Sequence, residues 1–209
     1  MTSWPKPNLM GVLNITPDSF SDGGKFTSVE AALAQAEMMV VQGAQIVDVG
    51  GESTRPGAER TSLETEQTRV LPVIAAITNK LNVTVSIDTM NSATARKAVE
   101  AGAKIVNDIS GGLADPEMFN AIKDLDCHYV LGHWRGHSDQ MDSFAVYSDV
   151  AREVVAELAE QVAMAVASGI SRERIIVDPG LGFAKDIHQN WDLVNRLDEL
   201  EKLSLPVLV

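Results

Sequence analysis

The alternation of short apolar runs with longer stretches of helical periodicity constrains the fold of this chain more than any other feature. The runs are too short for helices and suit buried strands. Between them, apolar residues recur at the spacing of amphipathic helices. Alternation of strand and helix predicts a parallel sheet built from right-handed βαβ units. The predicted strands are Leu9–Leu13, Ile46–Val49, Thr84–Ile87, Ile105–Val106, His128–Leu131, Ile175–Val177 and Val207–Val209.

Start and stop signals bound the predicted helices. Thr27-x-x-Glu30 and Thr61-x-x-Glu64 match the capping box, in which the hydroxyl accepts a hydrogen bond from the first helical turn. These signals divide the chain into strand–helix units with no linker between them. Three glycines stand where helices should end, each shortly before the next predicted strand: Gly43, Gly102 and Gly169.

A polar residue stands at the end of nearly every predicted strand. In a (β/α)8 barrel the carboxyl ends of the strands converge on one site, so such a series favours the barrel over a doubly wound sheet. The absence of a G-x-G-x-x-G turn after the first strand also weakens the doubly wound, dinucleotide-binding alternative. We therefore predict an α/β fold of the (β/α)8 barrel type. The polar residues are Asn14, Asp48, Asp88, Asn107 with Asp108, His133 and Asp178.

The count of units stops before a barrel closes. Residues 1–209 form one predicted domain with six complete strand–helix units and the opening of a seventh strand at Val207. A whole barrel usually has about 250 residues. We therefore expect the natural polypeptide to continue past Val209.

Composition narrows the classes of partner. The net charge of −12 disfavours nucleic acid and anionic membranes, which both bind basic surfaces. The sequence has no apolar run of membrane-spanning length. Its N-terminus lacks the basic start and apolar stretch of a signal peptide, so we expect none. Cys127 is the single cysteine, so no disulfide forms within the chain and we expect a cytoplasmic protein. An anionic substrate has to be captured by local groups, because the overall charge repels it.

The strand ends predict a binding pocket, although each residue taken alone has a structural alternative. Asp or Asn at such a position often caps the following helix, and we expect that role for Asp108. His133 fits either packing or catalysis. Asp88, Asn107 and Asp178 together make a pocket rich in hydrogen-bond acceptors, which suits a planar heterocycle with several N–H donors.

Two loops carry complementary chemistry. The segment Met10–Gly24 contains a loop of about a dozen residues, longer than most strand–helix connections. Its amide, hydroxyls and carboxylates suit oxyanion or metal contacts, and the alternative is a plain surface loop. In Gly50–Gly57, Ser53, Thr54 and Arg55 provide donors between glycines, which suits an oxyanion. Arg55 alone is equally explained as a solvated surface residue.

Five segments resemble the motifs of the dihydropteroate synthases, in the order of that family. Gly11–Gly24 (GVLNITPDSFSDGG) resembles the first motif and Val47–Gly57 (VDVGGESTRPG) the second. Ser86–Thr89, Val106–Ile109 and Asp178–Phe183 resemble the motifs of the third, fourth and sixth strands. The resemblance spans essentially the whole chain, and its His-Trp-Arg turn after the fifth strand is similar to actinobacterial members.

The resemblance implies a (β/α)8 barrel that condenses 6-hydroxymethyl-7,8-dihydropterin diphosphate with 4-aminobenzoate, giving 7,8-dihydropteroate and diphosphate. It implies Mg²⁺ as cofactor, held mainly by the diphosphate with Asn14, and a homodimer in the full-length form. The catalytic residues would be Asp22, Asp88 and Asp178. The residues implied for pterin diphosphate are Thr54, Arg55, Asp88, Asn107, Asp178 and Phe183, and those for 4-aminobenzoate are Thr16, Phe20, Ser21 and Pro56.

Three departures from the family pattern limit what the resemblance implies. The family's Ser-Arg-Lys turn after strand seven and its Arg-x-His of strand eight have no counterpart in these 209 residues. Gly132 stands where a Met commonly lies beneath the pterin, so we expect looser packing there. We therefore expect the chain as given to be catalytically poor or inactive. The rival functions are a pterin-binding methyltransferase that acts on methyltetrahydrofolate with a corrinoid partner, and a non-catalytic homologue.

Overall fold

The structure of the protein is a computed structural model, which describes residues 7–15, 25–52, 61–137 and 140–209. Within these ranges, six strands alternate with six α-helices. The strands are β1 (Met10–Asn14), β2 (Ile46–Gly50), β3 (Thr84–Asp88), β4 (Ile105–Asp108), β5 (His128–Gly132) and β6 (Ile175–Asp178). The helices are α1 (Lys25–Val41), α2 (Leu63–Lys80), α3 (Ser92–Glu100), α4 (Met118–Lys123), α5 (Val150–Ala167) and α6 (Ile187–Asn195).

The sheet has the sequential order of a barrel wall. All five neighbouring strand pairs are parallel, and the order is β1-β2-β3-β4-β5-β6. A doubly wound sheet would reverse its order at a switch point, so this alternative is wrong. Beside β6, the chain begins another parallel pairing, in which the Val177 N–H donates to Pro206 O and the Leu208 N–H to Val177 O, both at 2.9 Å. The predicted seventh strand is present as this bridge.

The two faces of the sheet have different neighbours. Alternate strand residues such as Val49, Ile87 and Leu131 point outward and are fully buried beneath the helices. From α5, Val154 and Leu158 pack into the same core. The residues between them in sequence point to the opposite, inner face, where the polar strand ends lie.

Element ends differ from the sequence prediction by small amounts. β1, β3 and β6 each run one residue further than predicted and end on Asn14, Asp88 and Asp178. The polar side chains are therefore the last residues of strands, fixed by the ladder. Helix α1 already contains Thr27, and the cap of α2 is Ser62, whose Oγ accepts from the Thr65 N–H at 3.2 Å. The three predicted helix-ending glycines are confirmed at positive φ: Gly43, Gly102 and Gly169.

Candidate functional site

Polar side chains form a row along the inner face, at the carboxyl ends of the strands. In register, Asn14 pairs with Gly50, Gly50 with Asp88, and Asp88 with Asn107. Residues in register point to the same face of a sheet, so these side chains share one surface. Asp178 joins the row from β6, where it pairs with Gly132. The structure thus brings together Asn14, Asp88, Asn107 and Asp178, as the sequence predicted.

The row is acidic, and its carboxylates disfavour one another's ionised forms. Burial raises the pKa of Asp88 well above its usual range, and the neighbouring carboxylates of Asp48 and Asp108 raise it further. Burial also raises the pKa of Asp178, against the opposing effects of the Gly180 N–H and Lys185. A ligand that donates hydrogen bonds relieves this repulsion, because a carboxylate that accepts them is favoured in its ionised form.

Asp48 fixes the orientation of the Asn107 amide. The Asn107 Nδ2 donates to Asp48 Oδ2 at 2.9 Å, and both residues are buried. The amide must point this way because an ionised carboxylate only accepts. The Asn107 Oδ1 atom is buried and has no hydrogen-bond partner in the described part of the chain. Such an acceptor is normally satisfied, so it suits an N–H donor of a ligand.

Gly50 brings two oxygens close together above β2. A Cβ at Gly50 would lie 3.1 Å from Asn14 Oδ1 and 3.4 Å from Asp88 Oδ2. The absent side chain therefore lets an amide and a carboxylate oxygen approach the same space. Hard oxygen ligands of this kind suit Mg²⁺, which uses few protein ligands and keeps several waters. Within the described residues, no group of three His, Cys, Asp or Glu side chains converges as a metal site.

The turn after β3 is held by a buried carboxylate that no sequence pattern predicts. Glu66 is 1% exposed, and it accepts hydrogen bonds from Thr89 Oγ1 at 2.6 Å, Asn91 Nδ2 at 2.8 Å and Thr94 Oγ1 at 2.6 Å. These three donors follow Asp88 in sequence. Glu66 therefore fixes the segment that carries Asp88, and no local pattern pairs residues from α2 with this turn.

The turn after β6 is closed by the buried Lys185. Asp178 Oδ1 accepts from the Gly180 N–H at 2.7 Å, and the Phe183 N–H donates to Gly180 O at 3.1 Å. Phe183 is half-buried in the same turn. The Lys185 Nζ donates to the carbonyls of Gly180 and Phe183 at 2.9 and 3.0 Å. No sequence pattern indicates a role for Lys185, and the sequence leaves its partner His133 between packing and catalysis.

Asp108 is a structural residue, as predicted, but it holds the turn after β4 and does not cap the following helix, which begins at Met118. Its carboxylate points away from the row and accepts hydrogen bonds from the Ser110 N–H and Oγ, the Gly112 N–H and the Tyr129 hydroxyl, at 2.6 to 2.8 Å. All four donors belong to the outer layer of the sheet or the following turn. Asp108 therefore stabilises the β4 end without contacting the inner face.

The expectation of looser packing at Gly132 is wrong. A Cβ at this position would lie 2.6 Å from Ile109 O and 2.7 Å from Ile109 Cα. The backbone after β4 therefore occupies the space that a side chain would need. Gly132 lets β4 and β5 approach closely beside Asp178.

A cavity of about 650 Å³ lies at the opposite, amino-terminal ends of the strands. Its walls include Ile46, Thr84, Ile105 and Ile176, which belong to the same inner face as the polar row. It is separate from the polar row, which lies at the carboxyl ends of the strands, where active sites of barrels form.

The remaining predicted site residues lie outside the described residues: Thr16, Phe20, Ser21, Asp22, Thr54, Arg55 and Pro56. Their roles stay predictions. Throughout the described ranges, no helix has the length and apolar character that crossing a membrane requires.

Comparison with known proteins points to one family. The model of the pterin binding enzyme family matches residues 10–209. The dihydropteroate synthase of Synechocystis is 45% identical over 201 residues, which are 96% of this chain and 70% of that protein. The one from Mycobacterium leprae is 46% identical over 202 residues, covering 96% and 71%.

Solved structures of dihydropteroate synthases superimpose closely on this chain. The Xanthomonas albilineans dihydropteroate synthase with 4-aminobenzoic acid superimposes with a TM-score of 0.89 at 40% identity, covering 97% of this chain and 71% of that one. The Yersinia pestis enzyme with a sulfonamide drug gives 0.90 at 37% identity, covering 97% and 74%.

Proposed function

The chain belongs to the pterin-binding enzymes and, within them, to the dihydropteroate synthases, and from this premise we propose the reaction that it catalyses. It is a transferase that condenses 6-hydroxymethyl-7,8-dihydropterin diphosphate with 4-aminobenzoate, giving 7,8-dihydropteroate and diphosphate. The observation that carries the proposal is the acceptor row of Asp88, Asn107 and Asp178 on one inner face. A pterin presents amino and ring N–H donors along one edge, which complements such a row.

The acceptor row also suits the electronic course of the reaction. The C–O bond between the pterin methylene and the diphosphate breaks, and the arylamine nitrogen forms the new C–N bond and then loses a proton. Positive charge that develops on the pterin is stabilised by the carboxylates of Asp88 and Asp178. No protein nucleophile is needed. Positioning the weakly basic arylamine and excluding water contribute more than deprotonating it.

Two loops outside the described residues complete the proposed site. Thr54 and Arg55 bind the diphosphate and Asp22 orders the first loop, while Thr16, Phe20, Ser21 and Pro56 form the 4-aminobenzoate site. The motifs of Gly11–Gly24 and Val47–Gly57 support these assignments. The gap above Gly50 supports Asn14 as the protein ligand of Mg²⁺. When bound, Mg²⁺ neutralises negative charge on the departing diphosphate.

The oligomeric state and the cellular location of the protein are also part of the proposal. A homodimer in the full-length form and a cytoplasmic location agree with the family and with the single cysteine, Cys127, which is buried.

Titration calorimetry tests the proposed function. We expect 4-aminobenzoate to bind only after pterin diphosphate and Mg²⁺ are present, because the first substrate forms one wall of the site for the second. Methyltetrahydrofolate that binds by itself, while pterin diphosphate does not, would instead support the methyltransferase. A chain that responds to none of these ligands would support a non-catalytic homologue. Asn107→Leu is a suitable control, because it removes an inner-face acceptor and leaves the outer core unchanged.

A further inference from the structure

The ammonium group of Lys185 joins three acceptors in a buried position. Lys185 is 7% exposed, and its Nζ lies 2.9 Å from Gly180 O, 3.0 Å from Phe183 O and 3.0 Å from His133 Nδ1. An ammonium group has three N–H donors, so each donor has one acceptor. Lys185 therefore ties two carbonyls of the turn after β6 to a side chain at the end of β5.

The contact of His133 Nε2 with Glu157 fixes the tautomer of the imidazole ring. His133 Nε2 lies 3.0 Å from Glu157 Oε2, and Glu157 also pairs with the Arg135 guanidinium. Although burial raises the pKa of Glu157, the hydrogen bonds from His133 and Arg135 bring it down to about 2. Glu157 is thus an ionised acceptor and His133 Nε2 must carry the proton. His133 Nδ1 is then a free acceptor for Lys185, and burial lowers the pKa of His133 so that the ring stays neutral.

The backbone makes the same connection. The His133 N–H donates to Asp178 O at 2.9 Å. A Cβ at Gly180, which has φ of +66°, would lie 2.4 Å from His133 O. The turn from Asp178 to Phe183 therefore packs directly against His133. Any shift of that turn moves Asp178 and Phe183, the two residues assigned to the pterin site.

We propose that Lys185 is a positioning residue for pterin binding, whose ammonium group clamps the Asp178–Phe183 turn onto His133. The inference rests on the proposed function, because it assigns Asp178 and Phe183 to the pterin. Lys185 itself contacts no substrate in this scheme. It acts through the turn, and it keeps the Asp178 carboxylate in line with Asp88 and Asn107 in the acceptor row.

The three hydrogen bonds of the clamp require that the Lys185 amine is protonated. Burial lowers the pKa of Lys185 to about 7, and the other charged groups that face it are Asp178, Glu157 and Arg135, beside the neutral ring of His133. A neutral amine has two N–H donors for the same three acceptors. One of the three contacts is therefore lost as the pH rises through about 7.

Lys185→Met tests the proposal, since methionine has a similar length and no donors. Lys104→Met is the matched control, because Lys104 lies at the amino-terminal end of the strands and pairs with the exposed Asp126. The dissociation constant of pterin diphosphate is measured for each protein by calorimetry between pH 6 and 9. We expect Lys185→Met to bind about tenfold more weakly than wild type at pH 6. The ratio should become smaller by pH 9 but stay above one, because a neutral Lys185 keeps two N–H donors and methionine has none. Lys104→Met should match wild type throughout.

Equal affinities of Lys185→Met and wild type at pH 6 would overturn the proposal, and so would a ratio that does not change with pH. Thermal unfolding of each variant separates a loss of binding from a loss of fold. If Lys185→Met does not fold, the ¹⁵N shifts of His133 in the wild-type chain decide. At pH 6 we expect a protonated Nε2 and an unprotonated Nδ1, and a protonated Nδ1 would refute the clamp. Failure of wild type to bind pterin diphosphate would instead count against the proposed function.

Discussion

Replacing Asp108 with asparagine is expected to destabilise the fold without weakening pterin binding. The Asp108 carboxylate accepts four hydrogen bonds, two on each oxygen. An asparagine keeps one oxygen for Ser110, while its NH2 group faces Gly112 and Tyr129. The Tyr129 hydroxyl can rotate to accept, but the Gly112 N–H cannot. One partly buried donor is therefore left unsatisfied, at a cost of about 2 kcal/mol in the free energy of unfolding.

Urea unfolding measures this change, with Tyr129→Phe as the control. Tyr129→Phe removes one donor and leaves the other three bonds to Asp108 intact, so it should cost about 1 kcal/mol. Asp108→Asn should bind pterin diphosphate no more weakly than wild type, because Asp108 points away from the inner face and the loss of its charge lowers the pKa of Asp88. An unfolding free energy within about 0.5 kcal/mol of wild type would refute the assignment of these bonds. A large loss of affinity in a folded Asp108→Asn would refute its purely structural role.

Three further predictions concern the pocket itself. Asp48→Asn should weaken pterin binding about tenfold, because a side chain that both donates and accepts no longer dictates which way the Asn107 amide faces; calorimetry that finds unchanged affinity counts against this. Gly132→Ala should cost about 1–3 kcal/mol, since its Cβ would meet Ile109 O at 2.6 Å; an unchanged urea midpoint contradicts it. Pterin binding should release protons and strengthen as the pH rises above the usual range of Asp, because burial raises the pKa of free Asp88 and N–H donors lower it again. Calorimetry in two buffers of different ionisation enthalpy counts those protons, and proton uptake is the contrary result.

Local patterns were sufficient to predict the sheet and the contents of the row. Apolar runs of strand length fixed the order of β1 to β6, and the polar residue at each run's end marked the inner face. The end of each strand was less certain, because Asn14 and Asp88 remain in the ladder despite their polarity. Ser62 and Thr61 are adjacent hydroxyl residues, and sequence alone favours neither as the cap.

Residues that act through distant partners were not predictable. Lys185 and His133 are 52 positions apart, and Asn107 and Asp48 are 59 apart. Lys185 and His133 follow the neighbouring strands β6 and β5, whereas Asp48 and Asn107 lie on β2 and β4, which β3 separates. Each pair forms only because the sheet brings the carboxyl ends of its strands together. The sequence therefore indicated Asp88, Asn107 and Asp178 as ligand contacts, but it left His133 between packing and catalysis. It also gave no signal for the buried acceptor Glu66.

The most direct test of the acceptor row compares two ligands of the wild-type chain. One is pterin diphosphate, and the other is its 2-desamino analogue, which lacks the exocyclic N–H donors. Sites built to bond a donor reject analogues without it, so we predict that the analogue binds at least about 100-fold more weakly. Equal affinities would contradict the assignment of Asp88, Asn107 and Asp178 as the groups that recognise the pterin edge.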